Sequence, residues 1–251
     1  MDQNSIRILN YHRRHPGIWV AFSFSVFMDL VRYTFQMYAE NGSLERTYFI
    51  GGPPRVGKSI LAYSLAKKIG GHVVSTDSIR NAAKKACSDK ESDYFIINRT
   101  EHVPDAEWIE NHAVYPERTI ETQNRESKAI WKSVVSFCNT FVEDDAIHVV
   151  EGVALLPSLV STMKNKPKHV LYVGNTNKDH LASIIRYGEE FPHQDWIAGM
   201  GYSKEKVEAF AVFVRAMSEY FKTEAEKYGF PYFEISDSNF KKSIEDIIQT
   251  L

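Results

Sequence analysis

From residue 47 onward the apolar positions fall into short blocks that alternate with longer amphipathic stretches. Residues 47–50, 72–75, 146–150, 169–173 and 232–235 are runs of four or five residues rich in aromatic and β-branched side chains. Such runs, with little polar alternation, predict strands covered on both faces. Residues 59–69, 79–87, 123–141, 203–228 and 239–251 carry helical spacing instead. In the first of these, Ile60, Leu61, Leu65 and Ile69 form one stripe, and Gly70 supplies the stop. In the third, Ile130, Val134, Phe137, Cys138 and Phe141 recur at three and four. In the fourth, Val207, Phe210, Ala211, Val214, Met217 and Phe221 do the same before Gly229 and Pro231. Residues 88–119 are polar, broken by Pro104 and Pro116, and show little period. Strands alternating with helices predict an α/β fold with a parallel sheet of about five strands and helices on both faces. Ligands of such sheets bind beyond the carboxyl ends of the strands. The informative residues are therefore 52–59, 76–80, 151–156, 175–178 and 236–238.

The first 44 residues stand apart. The apolar run 18–28 follows Arg13, Arg14 and Pro16 but meets Asp29, Arg32 and Gln36, with no small-residue cleavage site. Extending it to the roughly 20 residues of a membrane span takes in all three polar residues. Residues 1–44 are expected to be an extension, either a docked helix or dispensable through a true start at Met37, and 45–251 the working domain. Hydrophobic residues at 43% and charged residues at 25% fit a soluble globular chain, and a formal net charge of −2 gives no basic field for nucleic acid. Two cysteines, Cys87 and Cys138, exclude a disulfide framework and fit a reducing cytoplasm. No Cys/His spacing supports zinc. The oligomeric state is left open.

The stretch Gly52, Pro53, Pro54, Arg55, Val56, Gly57, Lys58, Ser59 satisfies G-x-x-x-x-G-K-[ST] at each fixed position, between a predicted strand and a predicted helix. In that setting the glycines let backbone N–H groups, Ile60 included, turn toward phosphate oxygens, and the helix start adds partial positive charge. Lys58 brings a cation to the β and γ phosphates, and the Ser59 hydroxyl is a Mg²⁺ ligand. Asp77 follows the second strand. It either caps the next helix or orients an acceptor hydroxyl and takes its proton. Arg80, one turn on, grips an anionic group. Glu151 closes the third strand, either as a solvated charge or as a second Mg²⁺ ligand. Residues 178–202, with Gly188, Pro192, Gly199 and Gly201, read as a lid, on which Arg186 either decorates a helix end or meets the transferring phosphoryl group. The irregular region 88–128 is the expected acceptor site, with Arg99, His102, Arg118 and Arg125 as candidates for an anionic substrate. His102 and His112 are not expected to bind metal. Trp108, Trp131 and Trp196 are expected to pack rather than to stack on bases.

Together, the residues 50–59, Thr76-Asp77-Ser78-Ile79-Arg80 and Val150-Glu151-Gly152-Val153-Ala154-Leu155-Leu156-Pro157 resemble the P-loop small-molecule kinases. They are most similar to 2-phosphoglycerate kinase and, more distantly, to chloramphenicol phosphotransferase, zeta toxin and shikimate kinase. Ala154 stands where that likeness implies a histidine, and the lid carries fewer arginines. The resemblance implies a P-loop NTPase three-layer sandwich with a helical lid. It also implies ATP and Mg²⁺ as cofactors, a small anionic acceptor, and Asp77 and Arg80 as acceptor-facing residues. Two other readings stay open: a toxin-like kinase of a nucleotide sugar, and an ATP-binding switch without turnover. A chain starting at Met37 is expected to be soluble and to keep its thermal transition, because the alternation of strands and helices begins only at Thr47. Loss of that transition would place residues 18–36 in the core.

Overall fold

The computed structural model describes residues 44–86, 103–143, 146–178, 180–190 and 196–251. All of them belong to one compact unit, residues 43–251. The readings at Cys87, Arg99, His102 and Pro192, at the Trp196 side chain, and across residues 1–43, lie outside the described residues. No helix among those described is long and apolar enough to cross a membrane.

Strand β1 (Thr47–Gly51) leads into helix α1 (Lys58–Ile69). Strand β2 (His72–Ser75) runs directly into α2 (Thr76–Ala86). Helices α3 (Asp105–Ala113) and α4 (Pro116–Asn139) precede β3 (His148–Gly152), and the short α5 (Pro157–Ser161) precedes β4 (His169–Gly174). Then come α6 (His180–Glu190), α7 (Trp196–Gly199), α8 (Lys204–Lys227), β5 (Tyr232–Glu234) and α9 (Phe240–Thr250). The five strands form one sheet in the order β2-β3-β1-β4-β5, and every pair is parallel. Burial explains the sequence pattern. Every residue of β3 is buried, and all but the first of β4, so neither strand has a wet face to fill with polar residues. The flanking strands β2 and β5 are only partly covered.

Helices α1 and α9 pack on each other, while α2, α3, α4 and α8 form a second group, an arrangement compatible with layers on either side of the sheet. Tyr172, Phe221, Met217, Phe49 and Leu61 are fully buried at the centre. Cys138 is buried on α4, and desolvation pushes its thiol up to about 12.

Several local expectations shift. On α1 the buried stripe is Leu61, Ala62, Leu65 and Ala66, whereas Ile60 is 42% exposed and turned to the cavity described below. On α4 the buried stripe runs in steps of four through Ile130, Val134 and Cys138. Phe137 falls beside it, 42% exposed and edge-on to Phe141 at 5.4 Å. Part of the region read as irregular is helical. Helix α3 has no fully buried residue and so no apolar stripe to announce it, and α4 begins at Pro116, a residue suited to a first helical turn. Gly188 lies inside α6 rather than breaking it.

The register aligns the strand ends. Gly51 sits opposite Gly152 and Tyr172, and Ser75 opposite Glu151. The chain leaves β1 toward β2 on one side and leaves β4 toward β5 on the other, so the order reverses between β1 and β4. That reversal marks the crevice where open parallel sheets bind ligands. Phe221→Ala should lower unfolding free energy by about 3–5 kcal/mol, the usual cost of emptying a fully buried aromatic site. Chemical denaturation against the parent chain measures it.

Candidate functional site

The loop after β1 is shaped by its neighbours. Gly52 has φ +146°, and a Cβ there would lie 2.1 Å from the Val173 carbonyl oxygen, so no larger residue fits. Gly57 has φ +96° at the N-cap of α1 and lies against the Phe240 ring, 2.7 Å from where a Cβ would be. Arg55 is held at φ 64°, a sparsely populated region for a non-glycine residue. Helix α1 has no side-chain cap and no acidic residue in its first turn, so its positive end is uncompensated there. Lys58 is 7% exposed, and its Nζ donates to the Pro53 carbonyl at 2.5 Å. Burial pushes its pKa down, and the carboxylates of Glu151 and Asp77 oppose that shift. Glu151 is itself 7% exposed at the end of β3.

At the second strand, of the two roles open to Asp77 the capping one falls to Ser75. The Asp77 backbone N–H donates to Ser75 Oγ at 3.2 Å, and Asp77 stands inside the first turn of α2. Its carboxylate is more than half exposed. Arg80 Nη1 donates to Glu126 Oε1 at 3.0 Å and lies 3.6 Å from Asp77 Oδ1. Glu126 is buried; desolvation raises its pKa and Arg80 opposes the rise. Glu126 belongs to no motif of the sequence. A signal was present: Glu126 continues the buried stripe of Ile130, Val134 and Cys138 at a spacing of four, and a carboxylate there needs a partner.

Two cavities meet at this point. The first, about 540 Å³, is lined by Pro54, Arg55, Val56, Gly57, Lys58, Ser59 and Ile60 of the loop and α1, with Asp77 and Glu151. On its other walls lie Arg186 and Tyr187 of α6, and Asp237. The Arg55 guanidinium rests 4.6 Å above the centre of the Tyr187 ring. The second, about 500 Å³, is lined by Arg80, Glu126, Trp108, His112, Arg118 and Gln123 among others. Pro54, Asp77 and Val153 line both. The structure therefore gathers the loop residues, Asp77, Glu151 and Arg186 around one cavity, and Arg80 and Arg118 around the next. Arg125 is exposed on α4 and lines neither. Gly52 and Pro53 shape the loop, Pro53 through its carbonyl.

A cluster at the start of α6 brings His180, which carries no motif in the sequence, to Asn175 and Asp237 of the strand-end stretches 175–178 and 236–238. His180 is 4% exposed, with Nδ1 lying 3.0 and 3.2 Å from the two oxygens of Asp237. Asn175 Nδ2 donates to Asp237 Oδ2 at 2.8 Å. Burial would raise the Asp237 carboxyl, but bonds from His180, Asn175 and Ser183 outweigh it and hold the group below its ordinary value.

In the second cavity Trp108 stacks on His112 at 3.6 Å, with the Tyr202 ring edge-on to Trp108 at 5.2 Å. Trp108 and Trp131 both pack against the core. His112 Nδ1–H donates to the Trp108 carbonyl at 2.7 Å, which leaves Nε2 as an acceptor. Among the described residues, no group of three or more His, Cys, Asp and Glu side chains is placed to hold a metal. Ser59 and Glu151 both line the first cavity and offer only oxygen donors. That set suits Mg²⁺, which takes few protein ligands and keeps water and phosphate oxygens as the rest. No protein-family model matches this chain, and no curated protein matches it significantly.

Burial pushes the pKa of His112 from 6.5 to about 4, against the smaller effect of its bond to Trp108. Between those values the unfolded chain binds more protons than the folded one, so stability rises with pH there. The contribution is complete above pH 6.5 and is lost as pH falls toward about 4. Urea titrations at pH 7 and pH 4.5 should show a smaller difference for His112→Gln than for the parent chain. An equal difference would place the titration elsewhere.

Proposed function

We propose that the chain is a cytoplasmic P-loop kinase that moves the terminal phosphoryl group of ATP to a hydroxyl of a small, anionic metabolite. The observation that carries this reading is the position of Asp77. It stands on the wall shared by the cavity around Lys58 and the cavity around Arg80 and Arg118. A carboxylate on the wall between the loop cavity and a second pocket supports a role in orienting an acceptor hydroxyl. The strand order, with its reversal beside the loop, supports the three-layer P-loop architecture.

In this reading the loop N–H groups and Lys58 hold the β and γ phosphates, and Ser59 and Glu151 hold Mg²⁺. The metal, when bound, neutralises charge on the phosphate oxygens. The acceptor oxygen forms its bond to the γ phosphorus while the bond from that phosphorus to the β–γ bridging oxygen breaks, and ADP leaves with the electron pair. Asp77 orients the acceptor hydroxyl and takes its proton late, as a loose transition state requires. Arg186, exposed on α6 at the cavity edge, meets the charge of the transferring group. Arg80, steered by Glu126, and Arg118 face the anionic part of the acceptor.

Lys58→Ala should weaken ATP binding and abolish transfer, since it removes the cation at the β and γ phosphates. Normal affinity and turnover in that variant would exclude the loop as the nucleotide site. Asp77→Asn should keep its melting temperature and ATP affinity while transfer from labelled ATP into a metabolite pool falls by roughly 10²–10⁴-fold. Because Ser75 supplies the cap, Asp77→Ala should also lose little stability, about 1 kcal/mol or less from the helix dipole. Full transfer by the Asn variant would remove Asp77 from the chemistry.

A further inference from the structure

We propose that Arg55 and Tyr187 are positioning residues: the arginine cation, laid on the tyrosine ring, braces helix α6 against the loop after β1 and so holds Arg186 at the first cavity. This goes beyond the phosphoryl-transfer reading and rests on it for one point, that Arg186 meets the transferring group. The brace itself follows from the geometry of α6 and of the loop.

Helix α6 is secured unevenly. Its first turns are sunk in the protein: His180 is buried beside Asp237, and Ile184 is 3% exposed. Beyond Ile184 the cover thins. Ile185 is 37% exposed, and Arg186, Glu189 and Glu190 are exposed as well. Among the helices and strands, α6 packs chiefly on α8. A helix end with few buried apolar contacts opens locally at little cost. Tyr187 is only partly exposed, and the Arg55 guanidinium lies 4.6 Å above the centre of its ring. Arg55, Arg186 and Tyr187 all line the first cavity. The contact therefore joins the loop to the less covered half of α6 beside that cavity.

Arg55 also has a backbone that suits another residue. At φ 64° glycine sits without penalty, whereas arginine is strained. Strain of that kind at a residue lining a cavity points to a use for its side chain. A guanidinium is planar and weakly hydrated, so it rests on an aromatic face more readily than an ammonium does. Arg186 is the immediate neighbour of Tyr187, so holding the ring holds the backbone from which the Arg186 side chain springs. Neither Arg55 nor Tyr187 touches the reacting atoms in this reading, because the cation at the phosphates is Lys58.

Hydrogen exchange on the full chain, read by mass spectrometry, tests the brace. Transfer from labelled ATP into a metabolite pool tests its role. Tyr187→Leu and Arg55→Gly should each speed exchange of the amides from 185 to 190 by roughly 3–30-fold, the range of one cation–π contact, and leave the His180 end unchanged. Neither change penalises the backbone, since leucine is the better helix former and glycine suits the Arg55 conformation. The double variant should exchange no faster than either single one. Tyr187→Phe keeps the ring and should exchange like the parent. In transfer, the Leu and Gly variants should lose kcat by the same roughly 3–30-fold, while KM for ATP stays within about threefold because Lys58 and the loop N–H groups remain. Tyr187→Phe should keep the parent rate. Parent-like exchange in both single variants overturns the brace, as do additive effects in the double variant. A raised KM with unchanged kcat makes Arg55 a phosphate ligand and overturns the positioning role. If exchange responds and transfer does not change, that role falls while the kinase reading stands. If the parent chain itself transfers nothing, the kinase reading falls and the positioning role falls with it, although the exchange result still reports the contact.

Discussion

A lysine ammonium taken almost wholly out of water is the constraint on which the rest of this site depends. Among the described residues, Lys58 donates to the carbonyl of Pro53 and has two carboxylates in electrostatic reach, Glu151 and Asp77. Desolvation of the ammonium is unfavourable by several kcal/mol even after relaxation, so the buried Glu151 carboxylate above all, with a smaller effect from the exposed Asp77, makes the position tenable. Each comes from a different strand end: Glu151 closes β3 and Asp77 follows β2. The parallel register that brings these ends level with Gly51 is therefore an electrostatic requirement as well as a packing result. The close contact of Gly52 with the Val173 carbonyl ties the same loop to β4 on the other side.

A second charge balance lies next to the first. Arg80 is shared between an exposed carboxylate on its own helix and a buried one on α4. Glu126 is the stronger constraint, because a buried carboxylate without Arg80 would be left uncompensated. Asp77 can thus change its surroundings while Arg80 stays in place. This division gives the shared wall between the two cavities one fixed charge and one adaptable charge.

Much of this was legible in the sequence where the signal is local. Strands buried on both faces leave continuous apolar runs, and β1, β3 and β4 did so. The glycine-bounded loop 52–59 is eight consecutive residues, and its strand–loop–helix setting could be read beside it. Helix α3 was invisible because none of its residues is fully buried, so no stripe marks it. Ile60 and Phe137 were misplaced because a helix tolerates an apolar residue at the edge of its buried face, and periodicity does not fix which edge is wet. The partnerships that give the site its chemistry lie beyond any local signal. Arg80 and Glu126 are 46 residues apart, and His180 and Asp237 are 57 apart. Each residue alone has the composition of an ordinary surface charge, and only the sheet order brings the pairs together. The cap on α2 is a subtler case. Ser75 and Asp77 are both good capping residues, and the one that acts is decided by where β2 ends.

The buried sulfur on α4 has a practical consequence. Only a thiolate attacks an alkylating reagent, and Cys138 is both wholly enclosed and, at about 12, almost never ionised in the native state at neutral pH. Its modification must wait for α4 to separate from the sheet. In a chain where Cys87 is replaced by serine, the rate of labelling at this one position is a clock for the opening of the core, readable by mass without any optical probe.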